Sequence, residues 1–470
     1  MKMDYSVKFN FYRVILSFFF LILHPYLKKP YFIMKKYYFI FCFFLSISIH
    51  AQSIDYELYT LDNGLDVILH QENSSPVVTV AVMYHVGAKD EVEGRTGFAH
   101  FFEHLLFEGT KNIERGKWFD IVSSNGGSNN ANTSHDRTYY YETFPSNSLE
   151  LGLWMESERM LHPIINQIGV DTQNDVVKEE KRQRIDNAPY GALIYGTAVD
   201  PYLYKKHPYG RSVIGSMEDL DAATLQEFID FNNKWNNPNN AVLVVAGDFE
   251  INETKKLVEA YFGDIPNNGD IPVRETIIED PITETIKLTE YDSNIQIPAK
   301  AFLYRTPGMS DRDSYVLQYI SAVLTGGKSS RMVKRMVDDE KLALQVFAFN
   351  QPQQDYGKYL MISLPVGDTS LDKLMTTMDE EIEKIKSDLI SEREYEKVKN
   401  QFEVQFIQSN TRIQGIANSL ARAHMLYGDI DIVNDQINIY RSITREEIKD
   451  VANKYLNKNQ RIEVDYLAKK

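Results

Sequence analysis

The segment Gly97–Thr110 reads GFAHFFEHLLFEGT, and its central pentapeptide HFFEH (His100–His104) is the most informative part of the chain. Apolar residues recur through the segment at helical spacing. Because residues four apart lie on one face of a helix, His100 and His104 present two imidazoles to a single ion. Glu103 shares that face. The pattern predicts a zinc-binding helix in the inverted order, with an acid placed beside the metal-bound water.

The sequence on either side of this helix predicts a mixture of strands and helices. Asn63-Gly64 separates two short apolar runs, which is typical of a β-hairpin. Val77–Val86 has the β-branched composition of a central strand, and Ser128–Phe144 is predicted as one continuous strand. Periodicity predicts three further elements: helices at Leu149–Leu161 and Asp171–Arg184, and a buried strand at Asn240–Asp248.

The second half of the chain repeats the order of the first after a stretch rich in Pro, Gly, Asn and acids between Phe262 and Thr285. Its predicted elements are strand Ala299–Tyr304, helix Ser314–Leu324, strand Tyr359–Leu364 and long helices from Leu371 to Arg422. The acidic stretch Asp379–Glu383 is expected to be a solvated helix face. We therefore predict an α+β fold with two similar domains, each an antiparallel-rich sheet packed by helices.

The predicted domain organisation has four parts. Residues 1–52 form a leader, residues 53–265 a metal-binding domain, residues 266–284 a linker, and residues 285–470 a homologous domain that lacks a metal site. Each of the two domains has about 200 residues, which is enough to bury a separate hydrophobic core.

The leader contains two short apolar runs, and the second follows Met34-Lys35-Lys36, which makes Met34 an alternative start. A basic region, an apolar run and Ala51 before Gln52 predict a signal peptide cleaved after Ala51. We therefore expect an exported protein, periplasmic or secreted. N-terminal membrane anchoring is the alternative. The single cysteine, Cys42, lies in the leader, so the mature chain has no thiol to protect in an oxidising compartment.

The net charge of the chain indicates which kinds of molecule it can bind. The leader carries seven Lys or Arg and one acid, so the remaining 418 residues have a formal net charge of −21 against −15 for the whole chain. This charge argues against nucleic-acid binding and favours cationic or unfolded peptides as partners.

These motifs together resemble the pitrilysin (insulinase) family of zinc metallopeptidases, in the smaller branch that includes mitochondrial processing peptidase. The resemblance covers most of the chain after the leader. The residues that carry it are Asn63-Gly64-Leu65, Gly97–Thr110, Gly126-Gly127, His207–Gly210, Pro238–Ala241 and Gly247-Asp248. The resemblance implies peptide hydrolysis with one Zn²⁺ per chain.

The family takes its third zinc ligand from a glutamate on a downstream helix, and Glu180 fits that pattern, with Glu179 as the alternative. A further glutamate often stands seven residues before this ligand in the family, where this chain has Gln173. The substitution is expected to weaken support of the ligand without removing the metal site.

The resemblance also implies the roles of the remaining site residues. Glu103 would act as the general base and acid of a zinc endopeptidase. The substrate would add a strand to a sheet edge formed by Gly127, Asn130, Ala131 and Thr133, which favours extended or unfolded peptides. The alternative is a non-catalytic peptide-binding or assembly subunit with the same fold.

One departure from the family concerns assembly. Active relatives carry, in the second half, an Arg and a Tyr seven residues apart that hold the substrate backbone. Here Ser329-Ser330-Arg331-Met332 aligns, but Val337 and Leu344 occupy the paired positions and Arg335 lies out of register. The expectation is a composite site, in which a homologous zinc-less subunit supplies the Arg/Tyr pair to a heterodimer. The alternative is a family member that works without the pair.

Overall fold

Two β-sheets, each covered by helices, organise residues 53–469, the part of the chain that the computed structural model describes. The first sheet has the spatial order β1-β2-β6-β3-β5-β4. Its strands are β1 (Glu57–Thr60), β2 (Asp66–Gln71), β3 (Val77–Tyr84), β4 (Ser128–Thr133), β5 (Thr138–Pro145) and β6 (Ala241–Gly247). Strands β2 and β6 are parallel, and the other neighbours are antiparallel.

The second sheet has the order β7-β11-β8-β10-β9. Its strands are β7 (Ile286–Asp292), β8 (Ala299–Pro307), β9 (Ala343–Pro352), β10 (Tyr356–Pro365) and β11 (Arg461–Ala468). In this sheet of the described residues, only the β7/β11 pair is parallel. Strands β7 to β11 therefore repeat the connectivity and the directions of β2 to β6, so the two sheets have one topology. This confirms the predicted fold class.

The helices of the first half begin with α1 (Phe98–Leu105), which contains the HFFEH pentapeptide. The others are α2 (Trp118–Ser124), α3 (Leu149–Leu161), α4 (Gln167–Lys181), α5 (Gly191–Ile194), α6 (Asp200–Leu203), α7 (Met217–Ala222), α8 (Leu225–Trp235) and α9 (Ile251–Phe262). The second half adds α10 (Arg312–Thr325), α11 (Leu371–Ser387), α12 (Glu392–Ser409), α13 (Ile413–Arg422), α14 (Ile432–Ser442) and α15 (Arg445–Tyr455).

Local sequence signals explain the start of several helices. Thr224 and Glu227 form a capping box at α8, and Ser391 with Glu394 forms the same motif at α12. The hairpin predicted at Asn63-Gly64 is present, and Gly64 adopts a positive φ of 89° that favours glycine.

The prediction of one strand over Ser128–Phe144 is wrong. The segment forms two antiparallel strands, β4 and β5, joined by a turn at residues 134–137. The Ser134 amide donates to the Arg137 carbonyl at 2.9 Å across this turn, and the Ser134 hydroxyl accepts from the Asp136 amide. The polar residues Ser-His-Asp-Arg therefore serve as a turn, which places β4 at the edge of the sheet.

The acidic stretch Asp379–Glu383 is not the uniformly solvated face that its charge predicts. Asp379 and Glu381 are 8% and 3% exposed. Asp379 accepts hydrogen bonds from Arg461, and Glu381 pairs with Arg335 at 2.9 Å. The exposed positions on α11 alternate with buried ones, so the helix uses two of its acids to neutralise arginines at the core boundary.

Two clusters of buried hydrophobic residues contain elements from both halves of the chain. Helix α13 packs its apolar face, including Ala417 and Leu420, against residues of β3 and β6 in the first sheet. In return, Leu203 and Tyr209 from the first half pack with apolar residues of the second sheet. The predicted boundaries at residues 265 and 285 stay a prediction, and these two clusters of buried residues include elements from both sides of them.

The predicted leader lies outside the described residues. Among residues 53–469, none of the helices combines the length and the apolar character that crossing a membrane requires.

Candidate functional site

Helix α1 brings His100, Glu103 and His104 to one face, as its periodicity requires. His100 and Glu103 are 8% and 7% exposed, and the two imidazole rings lie 4.8 Å apart between centroids. The buried carboxylate of Glu91 accepts from the Gly97 and Ala99 amides at 3.1 and 2.8 Å. It therefore satisfies free donors at the helix N-terminus, where a negative charge is also favoured by the helix dipole.

Gly97 allows the close approach on which this helix start depends. Its φ is 85°, and a Cβ atom at this position would lie 2.4 Å from the Ile214 carbonyl oxygen. Residues 212–214 line the same cleft as α1. A side chain at position 97 would therefore separate the helix from a wall of the site.

Glu180, on α4, faces the two histidines. Its Oε2 atom lies 3.5 Å from His100 Nε2 and 3.2 Å from His104 Nε2, and one ligand atom from each residue falls within 4.8 Å of the others. Ligands at tetrahedral zinc bonded at 2.0–2.1 Å are separated by about 3.3 Å. The two His/Glu distances match this spacing, and a tetrahedral zinc held by the three residues would have its fourth position free for water.

The alternative third ligand, Glu179, points elsewhere. Its carboxylate is exposed and binds Arg182 and Gln183 at 3.2 and 3.1 Å. Adjacent residues on a helix project about 100° apart, so only one of the two glutamates can face α1. The structure brings Glu180, and not Glu179, to the histidines.

The protonation states of His100 and Glu180 suit metal binding. Burial, together with the charge of His104, lowers the pKa of His100 to about 4. His100 is therefore neutral at pH 7, as a ligand must be. Burial opposes ionisation of Glu180, but its hydrogen bond with His104 and the charges of both histidines lower its pKa, which keeps the carboxylate ionised. Burial alone would lower the pKa of His104, yet hydrogen bonding to Glu180 and the charge of Glu103 outweigh it and raise that pKa.

Gln173 contacts His104 at the ring nitrogen that faces away from Glu180. Its Oε1 lies 3.1 Å from His104 Nδ1, and its Nε2 donates to Glu108 at 2.5 Å. When Nδ1–H of His104 donates to Gln173, Nε2 keeps its lone pair for a metal. The amide thus performs a ligand-orienting function at the position where the family often has a glutamate.

Arg184 is a site residue that the sequence reasoning missed. Its guanidinium donates to Glu180 Oε1 at 2.7 Å and leaves Oε2 facing the histidines. Arg184 also lines the cleft. The available signal was its i,i+4 spacing from Glu180, which places an arginine on the ligand's own helix face.

Glu103 is linked to the predicted substrate strand. The Thr133 hydroxyl donates to Glu103 Oε2 at 2.6 Å, which leaves Oε1 for another partner. Burial raises the pKa of Glu103, although the hydrogen bond from Thr133 and the charge of His104 oppose the shift. A carboxyl group with a raised pKa is suited to accept and return a proton near neutral pH.

Strand β4 forms an open edge of the first sheet in the described structure, since it pairs with β5 on one side alone. Asn130, Ala131 and Thr133 line a cleft of about 680 Å³ together with His100, Glu103, His104 and Glu180. Asn130 Oδ1 accepts from the Ala131 amide at 2.9 Å. The cleft thus joins the candidate metal ligands to a strand with one unpaired edge, where an extended peptide can add main-chain hydrogen bonds.

Gly127 has a different role from the other three predicted substrate residues. It precedes β4, it is not among the residues that line the cleft, and a Cβ atom there would lie 2.4 Å from the Phe144 ring. Its small size permits packing of the edge strand against the Phe144 side chain. The structure therefore gives Gly127 a packing function.

The positions at which active relatives carry the Arg/Tyr pair have no polar side chain here. Val337 packs against the second core, and Leu344 is 47% exposed on β9. Arg335 is held by Glu340, Glu380 and Glu381 at 2.6, 2.5 and 2.9 Å, and Arg331 is held by Glu394 at 2.6 Å. Both arginines are used for internal ion pairs.

The chain thus combines a duplicated α+β fold with two histidines and a glutamate that face one point beside an open strand edge. The chain belongs to the insulinase family, peptidase family M16. The model of this family matches residues 66–216, and the model described as the peptidase M16 inactive domain matches residues 222–402.

Individual relatives agree with this assignment. The chain is 30% identical over 420 residues to the zinc protease PqqE of Helicobacter pylori, covering 88% of this chain and 94% of that protein. A crystal structure of a protease from Helicobacter pylori superposes with a TM-score of 0.83 at 28% identity, covering 88% of this chain and all of that one. The periplasmic protease PqqL from Escherichia coli shares the fold, with a TM-score of 0.75 at 19% identity, covering 89% of this chain and 48% of that one.

Proposed function

We propose that this protein is a zinc-dependent endopeptidase that hydrolyses extended or unfolded peptides. The observation that carries the proposal is the convergence of His100 Nε2, His104 Nε2 and Glu180 Oε2, with the buried carboxylate of Glu103 on the same helix. The histidines and Glu180 would hold one Zn²⁺, which supplies Lewis-acid activation of a scissile carbonyl and of the attacking water.

The remaining steps belong to the protein's own residues. Glu103 accepts the proton of the attacking water and returns a proton to the leaving amine nitrogen, so its carboxylate is regenerated with each peptide cleaved. The hydrogen bond from Thr133 holds Oε2 of Glu103, and Oε1 is left for the proton. A substrate strand paired along β4 would present its backbone beside this carboxylate.

We further infer that the active form uses a composite site. Val337 and Leu344 have apolar side chains, and Arg331 and Arg335 are occupied by carboxylates of this chain. The chain also covers less than half of the Escherichia coli protease that shares its fold, and a second homologous chain would supply the remaining unit. We propose that this second subunit is zinc-less and contributes the Arg/Tyr pair to a heterodimer.

We propose that the protein is exported. The predicted signal peptide in residues 1–52 supports this, and so does the shared fold with PqqL of Escherichia coli, a periplasmic protease. Membrane anchoring by the leader is the alternative. Fractionation of cells and N-terminal sequencing of the mature protein distinguish the two, because a cleaved signal leaves Gln52 as the first residue.

The test of the peptidase uses the chain from Gln52, alone and together with a homologous subunit that carries the Arg/Tyr pair, on a mixture of unstructured peptides with and without chelator. We expect chelator-sensitive cleavage that the Glu103→Gln variant loses by about 10²–10⁴-fold in kcat, while its zinc content stays that of the wild type. Glu93→Gln is the matched control, because Glu93 is exposed and lies ten residues before Glu103. A pure peptide-binding subunit would bind peptides equally well in both variants and cleave none.

The composite site is tested in the same assay. A folded, zinc-loaded chain that is silent alone and becomes active on addition of a homologous subunit carrying the Arg/Tyr pair supports it. A homodimer that cleaves the same peptides at full rate contradicts it, and it would leave the zinc peptidase assignment intact.

A further inference from the structure

The hairpin turns of the two sheets meet. The turn at residues 134–137 connects β4 to β5, and the turn at residues 353–355 connects β9 to β10, which are the strands of equivalent position in the second sheet. The Gln354 amide donates to Asp136 Oδ2 at 3.0 Å, so the contact joins one turn directly to the other. The second half therefore touches the first immediately beyond the end of the candidate substrate strand.

A buried lysine joins the aspartates of the two turns. Lys89 Nζ lies 3.0 Å from Asp136 Oδ1 and 2.9 Å from Asp355 Oδ2, and it also donates to Gln354 Oε1 at 2.8 Å. The side chains of Lys89 and Asp136 are 7% and 5% exposed. Buried charges are tolerated when they are paired and hydrogen-bonded, and removal of one partner leaves the others uncompensated.

Tyr209 and His207 complete the contact between the turns. The Tyr209 hydroxyl donates to Asp136 at 2.5 Å and accepts from the Asp355 amide at 3.1 Å, and its ring is fully buried. His207 Nε2 lies 3.3 Å from Asp355 Oδ2. Asp355 thus contacts Lys89, His207 and Tyr209, all of which belong to the first half.

The cluster formed by Lys89, Asp136, His207, Tyr209 and Asp355 is connected to the candidate active site through the backbone of the first turn. Ser134 and His135 line the cleft. Their carbonyl oxygens accept from the Ala88 and Lys89 amides at 3.0 and 2.9 Å, so the residue that binds Asp355 also holds this backbone. Thr133, the residue before Ser134, donates to Glu103.

We propose that Asp355, on the β9–β10 turn, is a positioning residue for catalysis that holds the Thr133 end of the substrate strand in register with Glu103. This inference rests on the proposed peptidase function. In this proposal the second half of the chain stabilises the site of the first half. The turn at residues 353–355 fixes the geometry of that site and touches neither substrate nor metal.

The experiment compares Asp355→Asn with Asp465→Asn in the chain from Gln52, assayed in the assembly, alone or with the homologous subunit, in which the wild type cleaves peptides. The two aspartates are matched, because their side chains are 42% and 40% exposed and each binds a buried lysine of 7% or 5% exposure. We expect Asp355→Asn to lower kcat about tenfold with KM nearly unchanged, as is typical of groups that orient a site from outside it. Asp465→Asn should leave both constants at their wild-type values, and zinc content should be equal in both.

A second measurement does not depend on peptide cleavage. Hydrogen–deuterium exchange of the segment 128–137 should be faster in Asp355→Asn than in the wild type and unchanged in Asp465→Asn. If Asp355→Asn fails to fold, Gln354→Ala serves instead, since it removes one contact with Lys89 and keeps every charge. Equal exchange in the aspartate pair, or in Gln354→Ala and the wild type, overturns the inference.

A double-mutant cycle tests whether Asp355 acts through Thr133. In a Thr133→Val background, Asp355→Asn should change kcat by less than about twofold, because the contact that it positions is already absent. Independent effects that multiply in the double variant overturn the inference. Absence of cleavage by the wild type in every assembly would refute the proposed function instead, and hydrogen exchange would then decide the positioning role alone.

Discussion

The two sheets have the same strand order, yet they differ in the segment that leaves the central strand. In the first sheet, β3 leads into a long connection, residues 85–97, and then into the eight-residue helix α1 with its buried His100 and Glu103. In the second, β8 leads into residues 308–311 and the 14-residue helix α10, whose buried positions hold apolar, Ser and Tyr residues.

The edge strands of the two sheets also differ in the polarity of their residues. Strand β4 has the sequence SNNANT beside the cleft, whereas β9 carries Leu344 and Phe347 exposed on an edge of ten residues. Burying ionisable groups is costly unless they are paired or bind a metal. The first half carries that cost at α1, whereas α10, the helix that follows the corresponding strand of the second sheet, uses its buried positions for core packing.

The largest effect is expected from loss of the third ligand. Glu180→Gln should lose zinc and reduce cleavage to background, because enzymes accelerate reactions by about 10⁶-fold or more and the proposed zinc would activate both the carbonyl and the water. Metal content by elemental analysis and cleavage of unstructured peptides measure the two effects. Glu179→Gln is the control, since Glu179 is the adjacent, exposed glutamate. Equal zinc loss in both variants would contradict the assignment of Glu180.

The next largest effect is expected on stability, from the packing of α13 of the second half against the first sheet. Leu420 on α13 is fully buried against the first sheet, so Leu420→Ala should lower the free energy of unfolding by about 3 kcal/mol. Denaturant unfolding measures this change, and Leu389→Ala, at a 40% exposed leucine, is the control with a change below about 1 kcal/mol. If Leu420→Ala unfolded the second sheet alone in hydrogen exchange, α13 would not be part of the first core.

A smaller effect is expected at the arginine that binds the ligand. Arg184→Ala should weaken zinc affinity by about tenfold, because Glu180 Oε1 loses the donor that orients it. Competition with a chelator of known affinity measures the change. Arg182→Ala is the control, as Arg182 lies on the same chain segment and pairs with Glu179 at 3.2 Å. Unchanged affinity in Arg184→Ala would assign its ion pair to the helix surface.

The metal-binding helix could be predicted from sequence because its signal is local. Two histidines four apart with a glutamate between them determine their own geometry, and the next ligand, Glu180, required the family resemblance to distinguish it from Glu179. The roles of Gln173 and Arg184 depend on how α4 packs beside α1, which is a tertiary property with no short-range pattern. Sequence reasoning therefore reaches the candidate ligands, which stay a prediction, more readily than the groups that orient them.

The wrong predictions about the fold have a related cause. The turn at residues 134–137 lacks the Asn-Gly signal that marked the first hairpin, so β4 and β5 were merged. The buried Asp379 and Glu381 are part of an acidic stretch whose neutralising arginines are distant in sequence: Arg461 and Arg335. The packing of α13 on the first sheet is equally distant, and periodicity gives the face of a helix but not the sheet that covers it.

The smallest effect compares two helix capping boxes, one in each half of the chain. Hydrogen bonding to Arg331 lowers the pKa of Glu394 from 4.5 to about 2, and Ser391 contributes to the shift. A carboxyl group whose pKa is lower in the folded state stabilises the fold above its unfolded pKa, and the stabilisation is lost as the pH falls. For Glu394 the loss should occur between pH 4.5 and about 2.

Glu394→Gln should therefore be less stable than the wild type by about 1 kcal/mol at pH 7, after allowance for solvent screening, and the difference should disappear near pH 2. Denaturant unfolding across this pH range measures it. Glu227→Gln tests the same capping box in the first half, where the ion pair with Arg95 is more exposed and the pKa is also lowered. A smaller change in Glu227→Gln is expected, because a more exposed pair is screened more strongly. A larger one would contradict the expectation that solvent screening decides the difference between the two pairs.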